Sequence, residues 1–130
     1  MKKDSCPDEK QLQETSKKEL SYALRIFINY GEGVRGSFGV GVDTLMHGIQ
    51  KHGSLSKAAE EMGMAYSKAW KIIKHMEDYL GFPMVFRQVG RGCGSSLTEK
   101  GAEFIKSYDD FLQEVNAFAK DSFKKHFKNY

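Results

Sequence analysis

Between residues 22 and 30 the side chains alternate. Tyr22, Leu24, Ile26, Ile28 and Tyr30 fall on one side, and Ala23, Arg25, Phe27 and Asn29 on the other. Period two with β-branched and aromatic residues predicts a strand, and Phe27, out of step, predicts partial cover on both faces. Gly31, Gly33 and Gly36 then break the pattern, and Ser37 to Val40 are placed to return as a short partner strand. Beyond them the period becomes helical. Val42, Leu45, Met46 and Ile49 stand at i, i+3, i+4 and i+7, with Asp43 suited to the start and Gly53 to the stop. Leu55, Ala58, Ala59 and Met62 repeat that spacing, with Ser54 or Ser56 as N-cap and Gly63 as terminator. A third helix is predicted from about Ala65 to Leu80. Ala69, Ile72, Ile73 and Met76 lie within one arc of it, and Gly81 and Pro83 end it.

Met84 to Val89 has strand character, Gly90 to Ser96 is a glycine-rich turn, and Leu97 is placed to pair back as a brief second strand. Thr98 is a good N-cap for a last helix over about 99–123. The polar, charge-balanced stretch 1–19 reads as a flexible arm, and residues 20–130 as a single domain. The expected fold is therefore mainly α with small β: a winged helix-turn-helix with an N-terminal strand or hairpin and a long C-terminal helix. Small residues such as Ala58 and Ala59 let the second helix approach its neighbour closely, and Gly63 supplies the left-handed turn. The third helix can then enter a DNA major groove N-terminus first.

At about 100° per residue, Ser67, Lys71 and Lys74 share one face of that helix, and Ala69, Ile72, Ile73 and Met76 lie roughly opposite. One side is core; the other is short-polar, then basic. Ser67 suits base edges or phosphate, and Lys71 and Lys74 suit phosphates or guanine acceptors, with Lys68 on the flank. Trp70 lies between the faces and is expected to close the core against the first helix or the wing, whereas Tyr66 is open to core packing or DNA contact. Arg87 and Arg91 flank or occupy the glycine-rich turn, so that a wing can lie on the sugar-phosphate wall with Arg91 in the minor groove. Ser54 and Ser56, at the start of the second helix, complete the expected DNA-binding set. A bare surface hairpin and a solvated lysine face are the alternatives.

Charge agrees with that placement. Residues 51–91 hold seven Lys or Arg against four acids, an excess equal to the net charge of +3 on all 130 residues. Composition is that of a globular chain, 40% hydrophobic and 28% charged. Cys6 and Cys93 form no Cys-x-x-Cys pair and no His/Cys cluster, so no structural zinc site is predicted. Two lone thiols, no apolar run of membrane-spanning length and no signal peptide suggest a cytoplasmic protein.

Catalytic readings find no support. The glycine-rich turn lacks Gly-Lys-Ser/Thr and Gly-x-Gly-x-x-Gly, and neither Gly-x-Ser-x-Gly nor His-Glu-x-x-His occurs. His47, His52, His75 and His126 show no metal-ligand spacing, with His47 read as a surface or boundary residue and Asp109-Asp110 as solvated acids. No cofactor and no metal is expected. On the last helix, Phe104, Tyr108, Phe111, Val115 and Phe118 form one stripe, and Ile105, Leu112 and Ala119 an adjacent one. So broad an apolar face on a helix that outruns a small domain calls for a second surface, and a homodimer is the simplest.

At these residues the chain resembles the N-terminal DNA-binding domain of ModE-type molybdenum-responsive regulators, which are LysR-like in their helix-turn-helix. The matching segments are Gly53 to Ala59, Met62 to Trp70, Leu80 to Val85, Arg91 to Gly94 and Leu97 to Gly101, within about residues 20–120. The resemblance implies a dimer held by the first strand region and the last helix, with the third helix and wing on double-stranded DNA. It departs where Ala65 replaces a common Ser and where Cys93 interrupts the glycines. No C-terminal oxyanion-binding domains follow within this sequence, so molybdate sensing is not expected of it. The sequence thus predicts a homodimeric, sequence-specific transcriptional regulator. The competing reading is a winged-helix protein-interaction module that does not bind DNA.

Overall fold

The computed structural model describes residues 18–31, 37–87 and 94–130. The first part of the predicted arm, residues 32–36, and residues 88–93, with Arg91 and Cys93 of the predicted glycine-rich turn, lie outside the described residues. Among the described residues, four helices and a two-stranded sheet follow in the order α1 (Val40–His52), α2 (Leu55–Glu61), α3 (Tyr66–Leu80), β1 (Val85–Arg87), β2 (Ser95–Leu97) and α4 (Glu99–Phe127).

Each helix boundary has a local cause. Gly53, with φ 65°, ends α1 and donates its N–H to the Ile49 carbonyl at 2.7 Å. Of the two candidate serines, Ser54 caps α2, its hydroxyl accepting the Lys57 N–H at 3.1 Å. Gly63, with φ 67°, makes the turn into α3, which Gly81 terminates. Thr98 caps α4 by accepting the Gly101 N–H at 2.9 Å and donates its own hydroxyl to the Pro83 carbonyl at 2.7 Å. One residue thus joins the start of the last helix to the approach to the wing. With neither Gly nor Pro after Gly101, α4 runs on to Phe127, four residues beyond the expected end.

The predicted periodic faces form the core. Leu45, Met46 and Ile49 of α1, Leu55, Ala58 and Ala59 of α2, and Ala69, Ile73 and Met76 of α3 are buried together with Met84, Val85, Ile105 and Tyr108. Burying each of the larger side chains is worth roughly 1.5–3 kcal/mol. Close approach of α1 and α2 depends on Gly48, where a Cβ would stand 2.7 Å from that of Ala58. The wing strands pair antiparallel in the register Val85 to Leu97, Phe86 to Ser96 and Arg87 to Ser95.

The predicted N-terminal strand does not form as such. Residues 22–30 make a single antiparallel bridge, Ile28 to Phe38, with N–H···O distances of 2.8 and 3.0 Å. Among the described residues the rest of the segment has no strand beside it and takes its contacts from helices. Tyr108 donates its hydroxyl to the Ile26 carbonyl at 2.8 Å, the Tyr22 ring lies 5.0 Å from that of Phe123, and the Tyr30 N–H donates to the Tyr79 hydroxyl at 2.9 Å. Phe38, on the expected partner strand, becomes a core residue, packed edge-on to Phe104 and Tyr108 at 4.8 and 5.0 Å.

Candidate nucleic-acid interface

The α3 helix separates its two faces as its period requires. Ser67, Lys68, Lys71 and Lys74 are exposed, while Ala69, Ile73 and Met76 are buried. Ile72 departs from the expectation. It is only partly buried and joins Val42, Met62, Met64 and the stems of Lys68 and Lys71 in lining an apolar groove of about 400 Å³. The lysine stems can cover that apolar surface and keep their charged ends in water. Lys74 Nζ stands 3.9 Å from Glu77 and 5.9 Å from the centre of the Trp70 ring, a loose arrangement that leaves its charge near the surface.

Trp70 closes against the wing: the Arg87 guanidinium carbon lies 4.3 Å from the centre of its ring. A cation over an aromatic face is held by the ring quadrupole and by dispersion. Arg87 remains exposed and forms one wall of a polar niche of about 260 Å³, with Ser54, Ser56, Tyr66 and Ser95 around it. The niche therefore brings together three of the predicted residues, Ser54, Ser56 and Arg87, from α2 and the wing. The other four described ones, Ser67, Lys68, Lys71 and Lys74, run along α3. Arg91 lies outside the described residues. Tyr66, for which the sequence left two roles open, is 43% exposed and borders the niche rather than the core.

Two contacts that sequence periodicity missed fix the base of the wing, one to α3 and the other to the α1–α2 turn. The Glu77 carboxylate accepts the N–H groups of Met84 and Val85 at 2.8 and 3.3 Å, capping the start of β1 from the side of α3. In sequence Glu77 was one of four acids in a basic stretch; its task depends on the chain reversal at Gly81 and Pro83. At the other strand, the Ser95 N–H donates to the Gly53 carbonyl at 2.9 Å, and a Cβ at Gly94 would collide with that same oxygen. The wing base is thereby held against the α1–α2 turn. His52 Nε2 lies 2.8 Å from Glu61 Oε2, where the end of α1 approaches the end of α2.

A second polar cluster lies between α1 and α4. His47 Nε2 is 2.6 Å from Asp109 Oδ2 and 3.6 Å from Asp43 Oδ1. His47, read as a surface or boundary residue, is exposed and also faces two carboxylates, one of them brought from 62 positions away. Asp110 alone of the acidic pair behaves as a solvated acid, bridged to Lys106 at 2.8 Å. Burial pushes the Asp43 carboxyl up to about 7, hydrogen bonding and like charge from Asp109 add to the rise, and His47 opposes it.

Residues 45–102 match the family model described as bacterial regulatory helix-turn-helix protein, lysR family. The HTH-type transcriptional regulator CrgA of Neisseria meningitidis is 36% identical over 69 residues, 53% of this chain and 22% of that protein. The molybdenum-pterin-binding protein MopB of Rhodobacter capsulatus is 36% identical over 66 residues, covering 49% and 24%. The molybdenum transport protein ModE of Azotobacter vinelandii is 32% identical over 66 residues with the same coverage. The chain thus spans about a quarter or less of the length of these relatives. The crystal structure of VV2_1132, a LysR family transcriptional regulator, shares the fold with a TM-score of 0.54 at 20% identity, over 73% of this chain and 32% of that one. The architecture of the described residues is therefore a winged helix-turn-helix, whose residues 45–102 are similar to the LysR-family motif. Among the described residues, no helix is long and apolar enough to cross a membrane.

Proposed function

We propose that the chain is a sequence-specific, DNA-binding transcriptional regulator, a non-enzymatic protein of the cytoplasm. In this reading α3 enters the major groove, and the niche of Ser54, Ser56, Tyr66 and Arg87 sits on the adjoining sugar-phosphate backbone. The observation that carries the reading is the division of α3: Ser67, Lys68, Lys71 and Lys74 face solvent while Ala69, Ile73 and Met76 anchor the same helix in the core. A helix held on one side and presenting short-polar and basic side chains on the other meets the needs of groove entry. The regulators CrgA and VV2_1132 support it by name. MopB and ModE support a narrower affiliation of the DNA-binding portion with the ModE type, which the Tyr66-to-Trp70 helix and the Leu97 to Gly101 segment favour. No oxyanion site is proposed on these residues.

The active form is proposed as a homodimer. Phe111 and Phe118 of α4 are exposed, and the Tyr22 segment lies beside Phe118, Phe123 and Phe127. Together they offer exposed aromatic side chains along a helix about 43 Å long, from its 29 residues.

Selection of binding sites from random duplex DNA, followed by fluorescence anisotropy, tests the proposal. A palindromic site with half-sites about one helical turn apart is expected, with affinity falling steeply with salt. Lys71→Ala should weaken binding and lower the salt slope by about one. Retention of a protein partner with no retention on duplex DNA at low salt would instead make the fold an interaction module.

A further inference from the structure

Asp43 stands in the first turn of α1 with a side chain only 9% exposed. Its Oδ1 atom is buried and has no hydrogen-bond partner. A buried carboxylate oxygen without a donor is costly, and native proteins rarely keep one without a use. The groups around it are chemically selective. His47 lies one turn further along the same face of α1, and Asp109 reaches across from α4. One candidate ligand atom from each of the three lies within 4.8 Å of the others. Two carboxylates and an imidazole nitrogen converge there; the Asp43 and Asp109 carboxyls share a hydrogen bond when one is protonated and repel each other when both are ionised.

We propose that Asp43, His47 and Asp109 form a binding site for a divalent first-row transition cation, of which Zn²⁺ and Mn²⁺ are the representative cases. The donor set of one nitrogen and two oxygens argues for this class. Imidazole favours transition metals over Mg²⁺ and Ca²⁺, and the lack of sulfur disfavours the thiophilic ions. A cation would give the orphaned Oδ1 a partner and neutralise both carboxylates. Three protein ligands leave one or more positions for water, and the side chain of His47, 45% exposed, provides a route in from solvent. Because α1 belongs to the helix-turn-helix and α4 is the long terminal helix, the bound ion clamps one to the other. The site owes nothing to DNA binding and stands whether or not the chain is a regulator.

The test is calorimetric titration and thermal unfolding of the full chain after chelation, with ZnCl₂ and MnCl₂ added separately. A Cys6→Ser/Cys93→Ser background keeps thiols from competing. One ion per chain is expected, and Tm should rise by about 10 °C at a hundredfold excess over Kd. His47→Ala and Asp109→Asn, both at partly exposed positions, should fold and lose at least tenfold in affinity. Asp43→Asn should abolish the titration. Failure of both ions to bind the parent protein, or a Tm rise that persists undiminished in His47→Ala and Asp109→Asn, would overturn the assignment.

Discussion

The Arg87 guanidinium lies 4.3 Å from the centre of the Trp70 ring, and this contact joins the first strand of the wing to the middle of α3. In the proposed complex both elements would address one duplex at once, so their relative position matters as much as the charges they carry. Removing the guanidinium with Arg87→Ala should cost about 0.5–1 kcal/mol of stability from the lost cation–ring contact. It should also weaken DNA binding beyond the loss of one phosphate contact. Urea unfolding and anisotropy measured on Arg87→Ala, Trp70→Leu and the double variant give the coupling. Strict additivity in both measurements would show that the stacking positions nothing.

Glu77 holds the start of β1 through the Met84 and Val85 N–H groups. Glu77→Ala leaves both donors without the carboxylate, and losing hydrogen bonds to a charged group should cost about 1.5–3 kcal/mol. Equilibrium unfolding in urea reads the loss. Glu77→Gln, which keeps an acceptor oxygen, should lose less.

Gly48 faces Ala58 where α1 crosses α2. In an exposed helix interior, Gly→Ala stabilises by roughly 0.5–1 kcal/mol. At this crossing the sign reverses, because the added methyl would sit 2.7 Å from the Ala58 Cβ. Overpacking of this kind should cost about 1–3 kcal/mol. Thermal unfolding of Gly48→Ala tests this, and Ala58→Gly added to that variant should recover part of the loss by reopening the space.

Phe118 is 76% exposed on α4, so within one chain it contributes little to the core. Phe118→Glu should leave the helical circular dichroism unchanged but shift the mass from twice 14.7 kDa toward 14.7 kDa. Light scattering coupled to size exclusion measures it. A parent protein that runs as a monomer at high micromolar concentration would contradict the dimer proposal directly.

The sequence by itself determined the helices and their punctuation. Leu45, Met46 and Ile49, then Leu55, Ala58 and Ala59, then Ala69, Ile73 and Met76 announce their faces by spacing. Gly53, Gly63, Gly81, Ser54 and Thr98 act through local backbone geometry, which depends on near neighbours and is legible without a fold. The exposed basic face of α3 follows from the same arithmetic. Tertiary structure decided what depends on partners distant in the chain. Residues 22–30 have a strand's pattern, but a strand needs a neighbour to bond, and beyond the Ile28–Phe38 bridge the segment contacts helices instead. Glu77 and Arg87 acquired their roles when the chain folded the wing back onto α3. Asp43, His47 and Asp109 became one cluster only because α4 returns across α1, a meeting of side chains that no short-range spacing can encode.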